Sequence, residues 1–347
     1  MKIPQITFTR FIAALAIVVS HFKKDLFLYK INYLSDIFLK ANVGVSYFFI
    51  LSGFIMIVAY HKKEKIDYTN FYKNRFARIY PLYVAGMLLL LFTRYSGFSF
   101  YNVFLYMSGL QSWVPGDVMI LNFPGWSISV EFLFYLLFPF LYNYLYIIGN
   151  KHIWAIIILI WLGTQVFSNL YIISSAYKGP HTVSYEFIHY FPLLHLNEFL
   201  VGNLAGILFM KNFRPRNYDG MIILLFTAVL LALIFIPLNF HNGLMAVLFI
   251  PVIYLISCNN GALTKLFSWK PLEYLGEISY AVYIVHIPVL YILRKILWES
   301  LEIYKSDTVF LIYIPCLLLV SAFLYEAAEK PLRNYLKKVK IRKKPYF

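Results

Sequence analysis

Arg10 and His21 bracket an otherwise apolar run, RFIAALAIVVSH. An ionisable side chain in such a stretch is costly to bury and is usually functional. On a helix, eleven residues at about 100° each make three turns plus about 20°, so both side chains share one face. They lie roughly 16 Å apart along the axis. Imidazole, with an unperturbed pKa of about 6.5, can act as a general base for a hydroxyl. Spacing alone leaves an alternative open, in which Arg10 snorkels to the headgroups and His21 is interfacial. In NRFARIYPLY, Arg75 and Arg78 stand one helical turn apart. Two guanidinium forks suit a phosphate-rich ligand, although ordinary topological charge explains them as well.

Two further segments carry polar stripes. In PGWSISVEFLFYLLFP, Ser127, Glu131 and Tyr135 fall at i, i+4 and i+8. A lipid-facing carboxylate is expensive, so Glu131 should face other helices. There it could orient an imidazole, accept a proton, or pair with an arginine; a purely structural ion pair is the alternative. In GEISYAVYIVHIPVL, Ser279, Tyr283 and His286 share a face, and Pro288 is placed to kink the helix. A satisfied structural histidine is the alternative for His286. His189, His195 and Glu198 carry weaker signals. The sequence holds no H-E-x-x-H, Cys pair, Walker loop or Gly-rich dinucleotide fingerprint, so no metal is expected.

The elements that must position these residues are membrane helices. The chain is 61% hydrophobic with a mean hydropathy of +0.68, against about 45–50% apolar in soluble domains. The excess comes in blocks such as AIIILIWL and IILLFTAVLLALIFI, as a bilayer-spanning helix of about 20 residues requires. The dyad alternation of a membrane barrel is absent. An all-α polytopic bundle is expected, with about ten spans near 5–22, 43–60, 79–95, 126–148, 152–172, 191–210, 220–237, 241–257, 278–297 and 308–328. Segment 96–125 is too long for a tight turn, and its NVFLYMSGL portion is an interfacial or re-entrant candidate. Residues 1–335 are expected to form one transmembrane domain, and 336–347 a basic cytoplasmic tail. The N-terminal apolar run lacks a small-residue cleavage site and is interrupted by Arg10, so it reads as a retained first span. Cys258 and Cys316 fall inside apolar segments, and no disulfide is expected.

The net charge of +15 comes from 31 basic and 16 acidic residues. These lie in connectors and the tail rather than on one soluble face, which argues against nucleic acid as a partner. With the N-terminus inside, 21 Lys and Arg fall on the cytoplasmic side and 9 outside, with Arg10 in the membrane. That asymmetry favours both termini in the cytoplasm.

Seven blocks in order resemble the acyltransferase-3 family of membrane O-acyltransferases. They are Arg10-x10-His21, GVSYFFILSGF at 44–54, Arg75-x-x-Arg78 with Pro81, WSISVEFLFY at 126–135, NEFLVGNLAG at 197–206, GEISYAVYIVHIP at 276–288, and Glu329-Lys-Pro-Leu-Arg333. The resemblance implies a ten-helix core in the bacterial inner membrane. It would move an acyl group, commonly acetyl, from cytoplasmic acyl-CoA to a hydroxyl of a cell-surface glycan or its lipid-linked precursor. It shifts Arg10, Arg75 and Arg78 toward donor binding and His21 toward catalysis, with Glu131 beside it. Ser127, Tyr135, Tyr283, His286 and Glu329 become substrate or structural candidates. Some relatives append a soluble hydrolase-like domain, which is not expected here. Many carry an arginine before the NEFLVG block, where this chain has His195.

On this scheme Arg75 and Arg78 hold CoA phosphates at the inner mouth. The pantetheine arm runs up the first helix past Arg10 and brings the thioester to His21. Glu131 holds the ring as a triad's third member does. A covalent acyl-histidine fits the residues equally well. The competing classes are a polytopic transporter or flippase, which also carries intramembrane charge, and a polysaccharide polymerase, which would show large outer loops.

Overall fold

A computed structural model describes residues 3–22, 26–93, 98–146, 152–236 and 243–338 of the chain. Among them the elements are helices: no β-strand occurs, and one isolated bridge joins Arg216 to Asn259. The helices used below are α1 (Pro4–Ser20), α2 (Gly44–Tyr60), α3 (Tyr68–Thr93), α4 (Phe100–Ser108), α5 (Gly125–Leu141), α6 (His152–Ile173), α7 (Val183–Tyr190), α8 (Pro192–Asn212), α9 (Asp219–Phe235), α10 (Ala246–Cys258), α11 (Lys270–Ser300), α12 (Ser306–Leu324) and α13 (Lys330–Lys338).

Among the described residues seven helices are long and apolar enough to cross a membrane, and three shorter apolar ones join them: α1, α9 and α10. Each of the ten expected spans falls on one of these. Two begin earlier than expected. α3 starts at Tyr68 rather than 79, because its charged first half still buries Phe71 and Ala77 and so continues the helix. α11 starts at Lys270 rather than 278, with Pro271 in its first turn, where a missing N–H costs nothing. The span ends expected at 95, 148 and 237, the start at 241, and the tail from 339 onward lie outside the described residues.

Loop contacts sort the connectors into two ends. At one end, the backbone N–H of Ile66 donates to Asn143 Oδ1 (2.7 Å), that of Arg216 to the Cys258 carbonyl (3.2 Å), and Gln5 Nε2 to the Ile256 carbonyl (3.2 Å). At the other, Phe27 N–H donates to Asp307 (2.8 Å) and Gly116 N–H to Glu186 (2.7 Å). The first end carries the basic connectors, and the positive-inside rule assigns it to the cytoplasm.

The centre of the bundle is the crossing of α2 and α8. Both are buried along nearly their whole length. Glycines make the close approach possible. A Cβ on Gly53 would strike the Phe199 carbonyl, and one on Gly202 the Ile50 carbonyl. Gly202 and Gly206 are spaced as in small-residue membrane interfaces. By contrast, α6 and α9 bury only three residues each and expose Leu159, Ile173 and Leu224; they form the lipid-facing periphery. The segment at 98–124 contributes α4, opened by a Ser99–Asn102 capping box and closed by Gly109 in the left-handed conformation. Beyond it, Gln111 and Ser112 are fully buried, so this loop packs into the bundle.

Candidate active site

α1 carries the two ends of the site. Arg10, in its cytoplasmic half, lines a cavity of about 290 Å³. Arg75 and Arg78 of α3, Ser127, Glu131 and Tyr135 of α5, and Ser279 and Tyr283 of α11 line it too. Phe48, Ser52 and Met56 of α2 supply one wall. The cavity runs from Ile3 and Ile6 near the basic end toward Ser127 and Tyr283 in the outer half. Tyr135 donates its hydroxyl to Glu131 Oε2 at 3.0 Å. The Arg75 guanidinium lies 5.7 Å from the Phe71 ring centre and 5.9 Å from that of Tyr135, within cation–π range. Its Nε is buried without a hydrogen-bond partner. Three guanidinium groups against one carboxylate leave the lining net positive, which favours an anion.

Glu329 does not line this cavity. It closes a π-helical turn, Tyr325–Glu329, and pairs with Arg333 at 3.6 Å. The turn packs on α3, with Arg78 and Arg10 among the nearby cations.

His21 caps the C-terminus of α1, in the outer half. Its Nδ1 lies 2.9 Å from Nε2 of His286. The two rings are nearly parallel (10°), and Phe123 packs edge-on against His21 at 4.7 Å. His286 is fully buried, and its Nδ1 is 2.6 Å from the Tyr283 carbonyl one turn earlier. Nε2 of His21 is buried and has no hydrogen-bond partner. Pro288 shapes this region. Lacking an N–H, it cannot bond the Ile284 carbonyl four residues before it. Asn122 Nδ2 donates to that carbonyl instead, at 2.7 Å, and so ties the 109–124 loop to α11 beside the histidines.

A polar contact stands between the two ends. The hydroxyls of Ser127 and Tyr283 are 2.9 Å apart, and Phe48 packs edge-on against the Tyr283 ring. The cavity stops there, and the histidine pair lies one turn beyond. Glu131 and His21 are therefore not joined. The carboxylate serves Tyr135 and the arginines, whereas the imidazole that meets His21 is His286. From the sequence Glu131 could orient an imidazole, accept a proton or pair with an arginine; the structure does not bring it to His21. A bond between residues 265 apart in the chain leaves no local signal, and the Glu131 carboxylate accepts from Tyr135 instead, with the three arginines acting on it only electrostatically.

The weaker signals on α7 and α8 prove to be a second buried network. His195 Nδ1 is 2.7 Å from Glu198 Oε2, and its Nε2 is 2.8 Å from the His189 carbonyl. Ser46 of α2 donates to the other Glu198 oxygen. His195, Glu198 and Ser46 are all essentially without solvent contact. None of them lines the cavity, so the network ties α8 to α2 rather than reaching the site. The i, i+3 spacing of His195 and Glu198 was the signal available in the sequence.

The chain is 32% identical over 167 residues to Acyltransferase MdmB of Streptomyces mycarofaciens, covering 44% of this chain and 43% of that one. It is 25% identical over 289 residues to Peptidoglycan O-acetyltransferase OatA of Listeria monocytogenes, covering 72% of this chain and 44% of that one. The alignments thus span less than half the length of either relative. No solved structure matches. The acyltransferase-domain family model matches residues 3–326, a range that takes in the arginine-lined cavity and both histidines, and on that match the chain belongs to the acyltransferase-3 family.

Proposed function

We propose that this membrane protein transfers an acyl group, most simply acetyl, from cytoplasmic acyl-CoA to a hydroxyl of a cell-surface glycan or its lipid-linked precursor. One observation carries the reading: a single cavity on the basic side gathers Arg10, Arg75 and Arg78 against one carboxylate. A CoA donor is anionic at one end and neutral along its pantetheine arm. Arg75 and Arg78, at the start of α3, suit the phosphates, since guanidinium–phosphate bonds are charge-assisted and bidentate. A volume near 290 Å³ is at the small end for ligand pockets. It suits the narrow arm, with the nucleotide outside on the basic surface. Glu131 offsets the mutual repulsion of the three cations when no donor is bound.

His21 is the general base. Its free Nε2 lies at the outer end, where a glycan acceptor arrives without crossing the membrane. The acyl group reaches it only if the Tyr283 side chain leaves Ser127. Peptidoglycan, the substrate class named for the Listeria relative, is the first acceptor to try. The test is transfer of labelled acetyl from acetyl-CoA by the purified protein to peptidoglycan fragments and other glycans, with mass spectrometry of the products. Ester formation together with release of free CoA supports the reading. Movement of an intact glycan across vesicles with no acyl-CoA consumed would replace it with a transporter.

A further inference from the structure

The hydrogen-bond chain at the outer end fixes a tautomer. The Tyr283 carbonyl can only accept, so Nδ1 of His286 must carry the proton in their 2.6 Å bond. A neutral His286 then presents a lone pair on Nε2. His21 Nδ1, 2.9 Å away, must be the donor. That leaves the lone pair of His21 on Nε2, the one ring atom of the pair that no group engages. Reversing the order would set two acceptors face to face at the Tyr283 carbonyl. Two elements hold the chain in place: Tyr313 donates to the His286 carbonyl at 2.9 Å, and Asn122 holds the backbone carbonyl two residues before His286.

We propose that His286 is the positioning residue of the reaction, holding His21 as the Nδ1–H tautomer so that Nε2 faces the acceptor as a base. This rests on His21 being the base. The Nδ1–H form is the minor one of a free neutral imidazole, so without a partner His21 would mostly carry its proton on the nitrogen that must accept one. In the step itself, the acceptor oxygen bonds the thioester carbonyl carbon as its proton passes to His21 Nε2. The carbon–sulfur bond then breaks, and the imidazolium returns that proton to the thiolate. Ester and free CoA thiol result, and His21 ends as it began. While His21 is charged, its Nδ1–H bond to His286 strengthens. The Tyr283 carbonyl cannot take a proton onward, so the chain orients and spreads charge but does not conduct. The role given to a carboxylate in hydrolase triads falls here to a neutral imidazole.

Two substitutions separate the functions of the His286 ring. His286→Gln places an amide oxygen near the Nε2 position and keeps an acceptor for His21. His286→Asn keeps a donor for the Tyr283 carbonyl but takes that acceptor away. Full-length protein in lipid bilayers, labelled with [15N]histidine, reports ring tautomers by solid-state NMR, with His21→Gln assigning the His21 signals. Turnover is followed in parallel with acetyl-CoA and a chito-oligosaccharide probe, and acetyl-CoA hydrolysis is followed without it. The expected result is an Nδ1–H His21 in wild type and His286→Gln and an Nε2–H His21 in His286→Asn. kcat should fall about 10²-fold or more in His286→Asn, within the range for loss of a positioned base, with donor KM unchanged, and by less than about tenfold in His286→Gln. An Nε2–H His21 in wild type, or equal turnover in the two variants, overturns the proposal. The base assignment fails separately, if His21→Ala keeps wild-type turnover.

Discussion

The two ends of α1 solve different problems with the same scarce material, polar groups inside a bilayer. The inner end is roomy and overcharged: Arg10, Arg75 and Arg78 face one carboxylate around about 290 Å³ of space. The outer end is close-packed, with His21 and His286 parallel beside Phe123 and one ring nitrogen of the pair, His21 Nε2, without a partner. Surplus cations around a space describe a place where an anion comes and goes. A lone pair held by a rigid chain describes a place where one proton moves. The contrast teaches that binding and chemistry are separated along a single helix, so substitutions at one end should show in KM and at the other in kcat.

The strongest test of that division is His21→Ala. Loss of a positioned general base should lower kcat by about 10²–10⁴ while binding of acetyl-CoA, measured directly on the purified protein, stays at the wild-type level. Donor affinity falling in parallel with turnover would merge the two ends into one site. The opposite polarity is expected of Arg75→Ala and Arg78→Ala. Charge-assisted contacts are worth roughly 1.5–3 kcal/mol each, so each should raise donor KM by about tenfold or more, with a smaller change in kcat. Arg10→Ala belongs with them, because Arg10 lines the cavity and not the histidine pair.

Much of this division was legible in the sequence, and the reasons differ by residue. Arg10, Ser127, Glu131, Tyr135 and Tyr283 carry helical spacing inside apolar runs, a pattern that turns side chains inward, whereas Arg75 and Arg78 stand one turn apart in a charged stretch that topological charge explains as well; the structure gathers all seven at one cavity. Their meeting follows from burial cost, which is a local property. The partner of His21 does not. Helix spacing says that His286 faces inward but not which of nine other helices it faces, and a bond across 265 residues is decided by packing. The same limit hid the assignment of Glu131, which stereochemistry allowed beside either an imidazole or an arginine. The early start of α3 was obscured for another reason: hydropathy falls over residues 68–78 although Phe71 and Ala77 remain buried.

The two ends need a rigid strut between them, and α2 supplies it, lining the cavity with Ser52 and Met56 and touching Tyr283 through Phe48. Its position is set by the glycine contacts with α8. In Gly202→Ala the new methyl would meet the Ile50 carbonyl, and overpacking of this kind costs about 1–3 kcal/mol. Because α2 serves both ends, the expected signature is unpolarised: a lower thermal midpoint in detergent, with KM and kcat both impaired. An effect confined to one parameter would mean that α2 does not couple the ends.

The smallest expected effect is at the boundary itself. Tyr283→Phe removes the hydroxyl that meets Ser127 at 2.9 Å and leaves the ring against Phe48. Ser127 keeps the Pro124 carbonyl as a partner at 3.1 Å, so no buried donor is stranded and folding should be little affected. A neutral hydrogen bond contributes about 0.5–1.5 kcal/mol net. If it holds the boundary shut, its loss shifts the open population by about two- to tenfold, since 1.4 kcal/mol is a factor of ten. The acyl group would then reach His21 more often when no acceptor is present. Acetyl-CoA hydrolysis without acceptor should rise by that factor, while donor binding at the inner end stays unchanged. Mutating Ser127 to Ala removes the same contact but leaves the Tyr283 hydroxyl its bond to the Pro124 carbonyl at 3.3 Å, so it should raise hydrolysis by less than Tyr283→Phe does. A fall in acceptor-dependent turnover by about 10²-fold or more would instead make the Tyr283 hydroxyl a donor to the developing oxyanion, and the boundary between binding and chemistry would move one helical turn toward the cytoplasm.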